Sequence, residues 1–346
     1  MAPGRPLCHC GPTRSILGRS GVTIQDTGLT AAFAPVASLG QEMVEGLIGH
    51  EHLVERLMIA LVAGGHVLIE GPPGLAKTRA VKRLAEGLAG SFARIQCTPD
   101  LMPSDMTGTQ VFRPDTGRFD FLPGPLFHEL VLVDEINRAP PKVQSALLEA
   151  MAERQVTAGG TTRALPDPFM VVATQNSIEH EGTFPLPEAQ LDRFLLHVDL
   201  VLPGAEAERR ILDLVEGELR LPTHRAPSRL GADTLHTAAR AANGVLLAPA
   251  LKDYIVRLVI ATRETEGGPL AGLIEHAVSP RGTLALAACT RARAGLLGRD
   301  HGLPEDVELL APDVLAHRLV PSWRATSEGL GPRDLVRRLI DHVRPW

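Results

Sequence analysis

The stretch HVLIEGPPGLAKTRAVKRLAEGLA, residues 66–89, decides the fold class of this chain. Its first five residues are a short apolar run, typical of a buried β-strand. A loop rich in glycine and proline follows, and the remainder has apolar residues at helical spacing. Strand, glycine-rich loop and helix form the context that a phosphate-binding loop requires. We therefore predict such a loop at Gly71–Thr78, with one irregularity: Ala76 stands where glycine usually precedes the lysine.

The composition is that of a soluble globular protein. The chain has 346 residues, of which 44% are hydrophobic and 22% charged, and its net charge is -5. An acidic chain gives no electrostatic reason to expect nucleic acid as the main partner. Since no apolar run is long enough to cross a bilayer, we expect no membrane insertion and a cytoplasmic location. Cys97 and Cys289 lie singly in apolar contexts, which predicts buried, reduced thiols.

The pattern divides the chain into three parts. Residues 1–40 show no helical or strand period, and we interpret them as a disordered tail or the product of a start codon assigned too early. Cys8 and Cys10 in this part are too closely spaced for a zinc site. Residues 41–204 are predicted to form an α/β nucleotide-binding core, and residues 205–346 a helical domain.

Four further apolar runs in the core alternate with helical patterns, which predicts a parallel sheet. These runs are residues 92–97, 130–135, 169–176 and 194–200. Two segments interrupt the alternation around turn signals, QVFRPDTGRFDFLPGP and RQVTAGGTTRALP, and both are typical of β-hairpins. The pattern is compatible with two interpretations of these hairpins: surface features without a function, or segments with a functional role. After residue 204 only helical patterns remain; Ser279 is a candidate N-cap, with Pro280 at the first helical position.

Polar residues at predicted strand ends carry the candidate chemistry. In the loop, Lys77 would reach the β- and γ-phosphates, and the hydroxyl of Thr78 would ligate Mg²⁺. The apolar strand LVLVDE ends in Asp134 and Glu135, which would support the metal and polarise an attacking water. The alternative is a solvated acidic pair at the start of the next helix. Asn176 ends another strand, where an amide would lie beside the γ-phosphate or simply form a turn.

Two arginines follow these strand-end residues. Arg193 lies just before the last predicted strand, and Arg281 opens a helix of the second domain. The commoner fate of an arginine is a surface salt bridge. Their order after the phosphate loop and the acidic pair favours a role in the same site.

The strings that contain these residues resemble the hallmark strings of the MoxR family of AAA+ ATPases, in the helix-2-insert clade. They are GHVLIEGPPGLAKT, QCTPDLMPSDMTGT, DEINRAPPKVQSALLEAMAERQVT, ATQNSIEHEGTFPLPEAQLDRFLLHVDL, SPRG and LAHRL, and they span about residues 39–319. The resemblance implies an AAA+ P-loop NTPase core, a parallel sheet between helices with inserted β-hairpins, and a C-terminal helical lid domain. The two hairpins would be the helix-2 insert and the pre-sensor-1 insert.

The resemblance also implies a role for each candidate residue. The Walker A loop would bind ATP through Gly71, Pro72, Pro73, Gly74, Leu75, Ala76, Lys77, Thr78 and the following Arg79. Asp134 and Glu135 would be the Walker B pair, Asn176 sensor 1, Arg193 the arginine finger and Arg281 sensor 2. His50 would lie near the adenine.

Family members typically form hexameric rings, in which the finger completes the site of the neighbouring subunit. They often work with a partner that carries a von Willebrand factor A domain, in the maturation, assembly or metallation of client proteins. Two alternatives are open: the ATPase subunit of a metal chelatase, and a nucleotide-gated scaffold with little turnover. Ser177 and Pro72 depart from the family's usual residues without removing a catalytic group.

Overall fold

The computed structural model describes residues 28–177, 182–220, 229–264 and 267–345. Its α-helices are α1 (Gly28–Glu45), α2 (Glu51–Ala63), α3 (Lys77–Glu86), α4 (Pro103–Thr107), α5 (Pro141–Glu153), α6 (Glu188–Leu191), α7 (Ala205–Arg220), α8 (Ala232–Gly244), α9 (Pro249–Ala261), α10 (Pro280–Leu296), α11 (Pro304–Leu315), α12 (Trp323–Ser327) and α13 (Pro332–His342). Its strands are β1 (Val67–Gly71), β2 (Phe92–Gln96), β3 (Gly108–Arg113), β4 (Arg118–Pro123), β5 (Leu130–Asp134), β6 (Gln155–Ala158), β7 (Thr161–Ala164), β8 (Met170–Asn176), β9 (Leu196–Asp199), β10 (Ile274–His276) and β11 (Val320–Pro321).

The five predicted core strands form one parallel sheet in the order β2-β5-β8-β1-β9. The register places Gln96 beside Asp134, and Gly71 beside Asn176. Because the strands are parallel, these residues all lie at the carboxyl edge of the sheet, where α/β folds bind their ligands. The predicted α/β fold class is confirmed.

Successive residues of the strands point to opposite faces of the sheet and build two separate cores. On β5, Leu132 packs into one core, whereas Val131 and Val133 pack into the other. The first core continues into α1, α2 and the helices of the C-terminal region, and the second is closed by α4 and α5. The sheet is therefore covered on both faces, as its non-alternating apolar strands predict.

Both predicted hairpins are present, as β3–β4 and β6–β7, and both pairs are antiparallel. They also contact each other. The Gln110 side chain donates to the carbonyl of Gly159 at 3.4 Å, and the Arg163 guanidinium lies 3.9 Å from the centre of the Phe121 ring. The aromatic pair at the far end of β3–β4, Phe112 and Phe119, remains largely exposed.

Regular structure begins earlier than the pattern predicts. The helical period indicates a start near Gln41, but α1 begins at Gly28, inside the part interpreted as a tail. Its Phe33 is buried, and the ring lies so close to α10 that a Cβ at Gly295 would fall 2.2 Å from it. Pro35 and the many alanines of this helix hide its period in the sequence. Residues 1–27, including Cys8 and Cys10, lie outside the described residues.

The described residues of the C-terminal region form helices from α7 to α13, with a small pair of strands in addition. The strands β10 and β11 form a two-stranded antiparallel pair that the sequence pattern did not indicate. The predicted cap of α10 is confirmed, since the Ser279 hydroxyl accepts from the backbone N–H of Arg281 at 3.2 Å and Pro280 follows the cap. The helices among the described residues are all too short or too polar to span a bilayer.

Candidate functional site

The predicted phosphate loop connects the end of β1 to the start of α3. Ala76, directly before the helix, has φ 51° and ψ 21°, the left-handed conformation. A residue with a Cβ loses roughly 1–2 kcal/mol in this conformation, which is why loops of this kind usually have glycine there. The remaining glycines of the loop, Gly71 and Gly74, also have positive φ. The backbone thus turns sharply enough to aim the first N–H groups of α3 at an anion.

Lys77 lies in a buried position at the centre of the loop. Its ammonium donates to the Gly71 carbonyl at 2.6 Å, to the Gln175 carbonyl at 3.0 Å and to the side-chain oxygen of Asn176 at 2.7 Å. Strand β8 therefore brings Asn176 against the lysine, as the register of the sheet requires. The two predicted residues, 99 positions apart in the chain, are direct partners.

Thr78 and Asp134 supply oxygen atoms on the other side of the lysine. The Thr78 hydroxyl lies 3.3 Å from both carboxylate oxygens of Asp134. The carboxylate is nearly buried, and it also accepts from the Thr174 hydroxyl at 3.1 Å and from Arg94 at 2.7 Å. A hydroxyl and a carboxylate are hard oxygen ligands of the kind that Mg²⁺ prefers, so this donor set fits that ion.

Glu135, the next residue, has φ 58°, also left-handed. Its carboxylate accepts from Asn176 of β8 at 3.3 Å, from Gln96 of β2 at 3.0 Å and from Arg138 at 3.0 Å. A non-glycine residue held in a sparsely populated region costs about 1–3 kcal/mol, and such residues cluster at functional sites. The backbone N–H of Glu135 is fixed in turn by the Thr174 hydroxyl at 3.0 Å.

These residues line one cleft of about 360 Å³ at the carboxyl edge of the sheet. Its walls are Pro73, Gly74, Leu75, Ala76, Lys77, Thr78, Arg94, Gln96, Asp134, Glu135, Thr174 and Asn176. The cleft combines one buried ammonium, one guanidinium, two carboxylates, two amides and the N-terminus of a helix. That set can neutralise phosphate oxygens, hold a cation and orient a water.

Comparison with known proteins gives a consistent answer. The family described as "ATPase family associated with various cellular activities (AAA)" matches residues 66–196, and the AAA lid domain family matches residues 271–339. "Chaperone MoxR1" of Mycobacterium tuberculosis is 43% identical over 300 residues, which are 86% of this chain and 78% of that protein. "Protein MoxR" of Methylorubrum extorquens is 33% identical, over 92% of this chain and 97% of that protein. The chain belongs to the MoxR family of AAA+ ATPases.

A solved structure from Cytophaga hutchinsonii, assigned as an ATPase, extends the match to the fold. It superposes with a TM-score of 0.81 at 36% identity, and the match covers 91% of this chain and 96% of that one. The AAA domain and lid of the MoxR family therefore account for both the parallel sheet and the helical C-terminal region.

The predicted arginine finger and sensor 2 of this MoxR-family chain, Arg193 and Arg281, do not line the cleft. Arg193 donates to the Leu148 carbonyl of α5 at 2.8 Å, and Arg281 lies on the exposed N-terminus of α10. Asp192 directly precedes Arg193 in the chain, and its carboxylate lies 3.7 Å from the Arg281 guanidinium. Asp192 also accepts from the nearly buried Arg318 at 2.9 Å. The segment that carries Arg193 is thus tied to the lid.

The four remaining predicted residues also lie outside the side chains that line the cleft. Gly71 and Pro72 are the first two residues of the loop, and Arg79 follows it in the first turn of α3. His50 is buried at the start of α2, where burial lowers the pKa of its imidazole. The adjacent Gly49 packs against the beginning of α7.

Sequence reasoning missed four residues that hold the acidic pair, one of which is Arg138, a donor to Glu135. Arg94 and Gln96 project from β2 onto Asp134 and Glu135, and Thr174 bridges both. A signal was present in the string FARIQC, because Arg94 and Gln96 are two positions apart and share a strand face. Two polar residues on one face of an otherwise apolar strand indicate that this face meets polar groups of the neighbouring strand.

Proposed function

We propose that this chain hydrolyses ATP with Mg²⁺ in a ring of identical subunits and uses the cycle to remodel a protein client. The observation that carries the proposal is the convergence of Lys77, Asn176 and Glu135. The lysine donates to the asparagine at 2.7 Å, and the asparagine donates to the glutamate at 3.3 Å. In this proposal Lys77 binds the γ-phosphate, Asn176 senses it and Glu135 orients the water. Asn176 contacts both of the other side chains.

The chain's own residues would divide the work of phosphoryl transfer. Residues 71–79 would wrap the phosphates, and His50 would lie toward the adenine. Thr78 and Asp134 would hold Mg²⁺, which when bound neutralises charge on the β- and γ-phosphate oxygens. Glu135 would accept a hydrogen bond from the attacking water and orient it.

Arg193 would act on the site of a neighbouring subunit, and Arg281 would report the γ-phosphate to the lid. The position of Arg193 outside its own cleft supports a role in trans. Catalysis would then depend on assembly, because one positive charge at the transferring phosphoryl arrives from another chain. We propose a hexamer as the ring, by analogy with the family.

The cellular role that fits is a cytoplasmic, chaperone-like one: maturation, complex assembly or metal-centre insertion, with a partner that carries a von Willebrand factor A domain. The name of the Mycobacterium tuberculosis relative, a chaperone, supports this class of role. A Glu135→Gln form would bind ATP without turning it over, and so hold the client-bound state.

The test is a capture experiment with the Glu135→Gln form, with and without ATP, beside a matched Lys77→Ala form that should not bind ATP. We expect a client or partner protein to be retained only by the Glu135→Gln form with ATP. Equal retention by both forms would contradict ATP-dependent remodelling. Phosphate release by the unaltered chain should also rise more steeply than protein concentration, and a strictly monomeric preparation at full rate would contradict the ring.

A further inference from the structure

Arg333, on the lid helix α13, contacts the nucleotide-binding sheet. Each nitrogen of its guanidinium has a different acceptor. One nitrogen bonds to Asp199 on β9, one donates to the His197 carbonyl on β9 at 2.8 Å, and one donates to Asp313 of α11 at 2.7 Å. Asp313 is almost fully buried. A planar, forked group is required for this arrangement, since a lysine has a single nitrogen to place.

The contacts continue from β9 to the residue that precedes the phosphate loop. The His197 ring nitrogen Nε2 lies 3.0 Å from the Glu70 carboxylate and 3.4 Å from Asp199. The hydrogen bond from His197, with the nearby charges of Lys77 and Arg333, lowers the pKa of Glu70, so its carboxylate is ionised near neutral pH. Glu70 is followed directly by Gly71, the first residue of the loop.

The backbone reinforces the same connection. The N–H of Leu200, the residue that follows β9, donates to the Glu70 carbonyl at 2.8 Å. The two backbone segments are so close here that a Cβ at Gly71 would lie 2.9 Å from the Leu200 carbonyl oxygen. The next carbonyl, that of Gly71, accepts from Lys77. A displacement of β9 would therefore be transmitted to the loop and its lysine.

Glu70, His197 and Asp199 also have the spacing of a metal site, because their ligand atoms lie within 4.8 Å of one another. The Arg333 guanidinium, however, already bonds to Asp199 at this point. A bound cation would have to lie beside that positive charge. The cluster is better explained as the partner of the arginine.

We propose that Arg333 is a positioning residue, which fixes the lid to the start of the phosphate loop through Asp199, His197 and Glu70. Its effect on ATP turnover rests on the proposed function; its effect on the loop does not. Loss of the arginine would free β9 and the beginning of the loop to move. ATP would then bind more weakly, while Asp134 and Glu135, at the end of β5, remain in place.

Three variants separate this role from a general loss of stability. Arg333→Lys keeps the charge and removes the fork. Asp199→Asn weakens the contact to the sheet and leaves the Arg333–Asp313 pair within the lid. Arg337→Met is the matched control, because Arg337 lies on the same helix, is 67% exposed and pairs with Asp334 of its own helix at 3.1 Å.

The first measurement is hydrogen–deuterium exchange of the full chain without nucleotide. We expect Arg333→Lys and Asp199→Asn to raise exchange in residues 70–78 by about fivefold or more, and Arg337→Met to leave it unchanged. Exchange that rises only in the lid, within residues 304–342, would overturn the proposal. This readout does not depend on ATPase activity, so it stands even if the proposed function fails.

The second measurement is steady-state ATP hydrolysis by the same variants. We expect the KM for ATP to rise by about fivefold or more in Arg333→Lys and Asp199→Asn, with kcat changed by less than about threefold. The double variant should resemble the single ones, because both changes break one connection. Additive effects, or a fall in kcat with KM unchanged, would overturn the proposal.

Discussion

The buried imidazole of His66 makes the stability of this protein depend on pH in a way that can be worked out from its contacts. The backbone N–H of Val171 donates to His66 Nδ1 at 3.0 Å, so Nδ1 must be unprotonated. The proton is therefore on Nε2, which donates to the Met151 carbonyl at 3.3 Å. The ring is fixed as one neutral tautomer between β8 and α5. Protonation would place two N–H groups face to face and lose the contact with Val171.

Burial of this ring lowers the pKa of His66 from 6.5 to about 4. The hydrogen bond to the Met151 carbonyl offsets part of this shift, and the charge of Arg154 adds a smaller lowering. Between these two pKa values the unfolded chain binds more protons than the folded one. The free energy of unfolding therefore falls as the pH falls through this range, and the loss is complete only below the folded pKa. From about pH 7 to about pH 5 the loss from this one group is about 2 kcal/mol.

The assay is urea unfolding at both pH values, followed by circular dichroism, for the unaltered chain and His66→Gln. Glutamine offers one donor and one acceptor but does not titrate. We expect the unaltered chain to lose about 2 kcal/mol more than His66→Gln on acidification. His301→Gln is the control, since that side chain is 51% exposed, and it should keep the full pH dependence. Equal pH dependence in the unaltered chain and His66→Gln would refute the reasoning.

Three predictions concern the site. Ala76→Gly should relieve about 1–2 kcal/mol of backbone strain and raise stability, while the Kd for ATP stays within about threefold; a gain in affinity of more than about tenfold would mean that alanine cripples the loop. Thr78→Val should raise the Mg²⁺ concentration needed for half-maximal ATP hydrolysis by about tenfold or more, and Thr78→Ser, which keeps the hydroxyl, should have the original requirement. An unchanged Mg²⁺ requirement in Thr78→Val would mean that the hydroxyl does not bind the metal. Arg193→Ala should lower ATP hydrolysis by about a hundredfold or more with little change in ATP affinity; mixing with a Lys77→Ala form, which supplies the arginine, should recover activity if it acts in trans.

Much of the core could be predicted because its strands are buried on both faces and read as plain apolar runs. The runs around Val67 and Val131 became β1 and β5 with boundaries within a residue or two. The sequence pattern did not predict helix α1, because Pro35 and several small residues weaken the helical period. The burial of this helix depends on packing against α10. The pair β10–β11 was missed because two or three residues carry no period of their own.

The site residues also fall into two groups, those that the sequence pattern predicts and those that it does not. Lys77, Glu135 and Asn176 could be found because each ends a strand or opens a helix, and the parallel sheet then brings them together. Arg333 could not, because it acts on a carboxylate that is distant in the chain, that of Asp199. The polar face of β2 indicates a polar partner for Arg94, but not that this partner is Asp134. Their roles depend on the register of β2 beside β5 and on how α13 packs, which strand and helix patterns do not specify.

The most direct test of the central claim is a pair of measurements on the Glu135→Gln variant: its Kd for ATP and its steady-state rate of phosphate release. The claim is that the cleft at the end of β1 and β5 binds ATP and that Glu135 orients the attacking water. We predict a Kd within about threefold of the unaltered chain and a rate lower by about a hundredfold or more. A variant that releases phosphate at the normal rate, or an unaltered chain that releases none, would contradict the account.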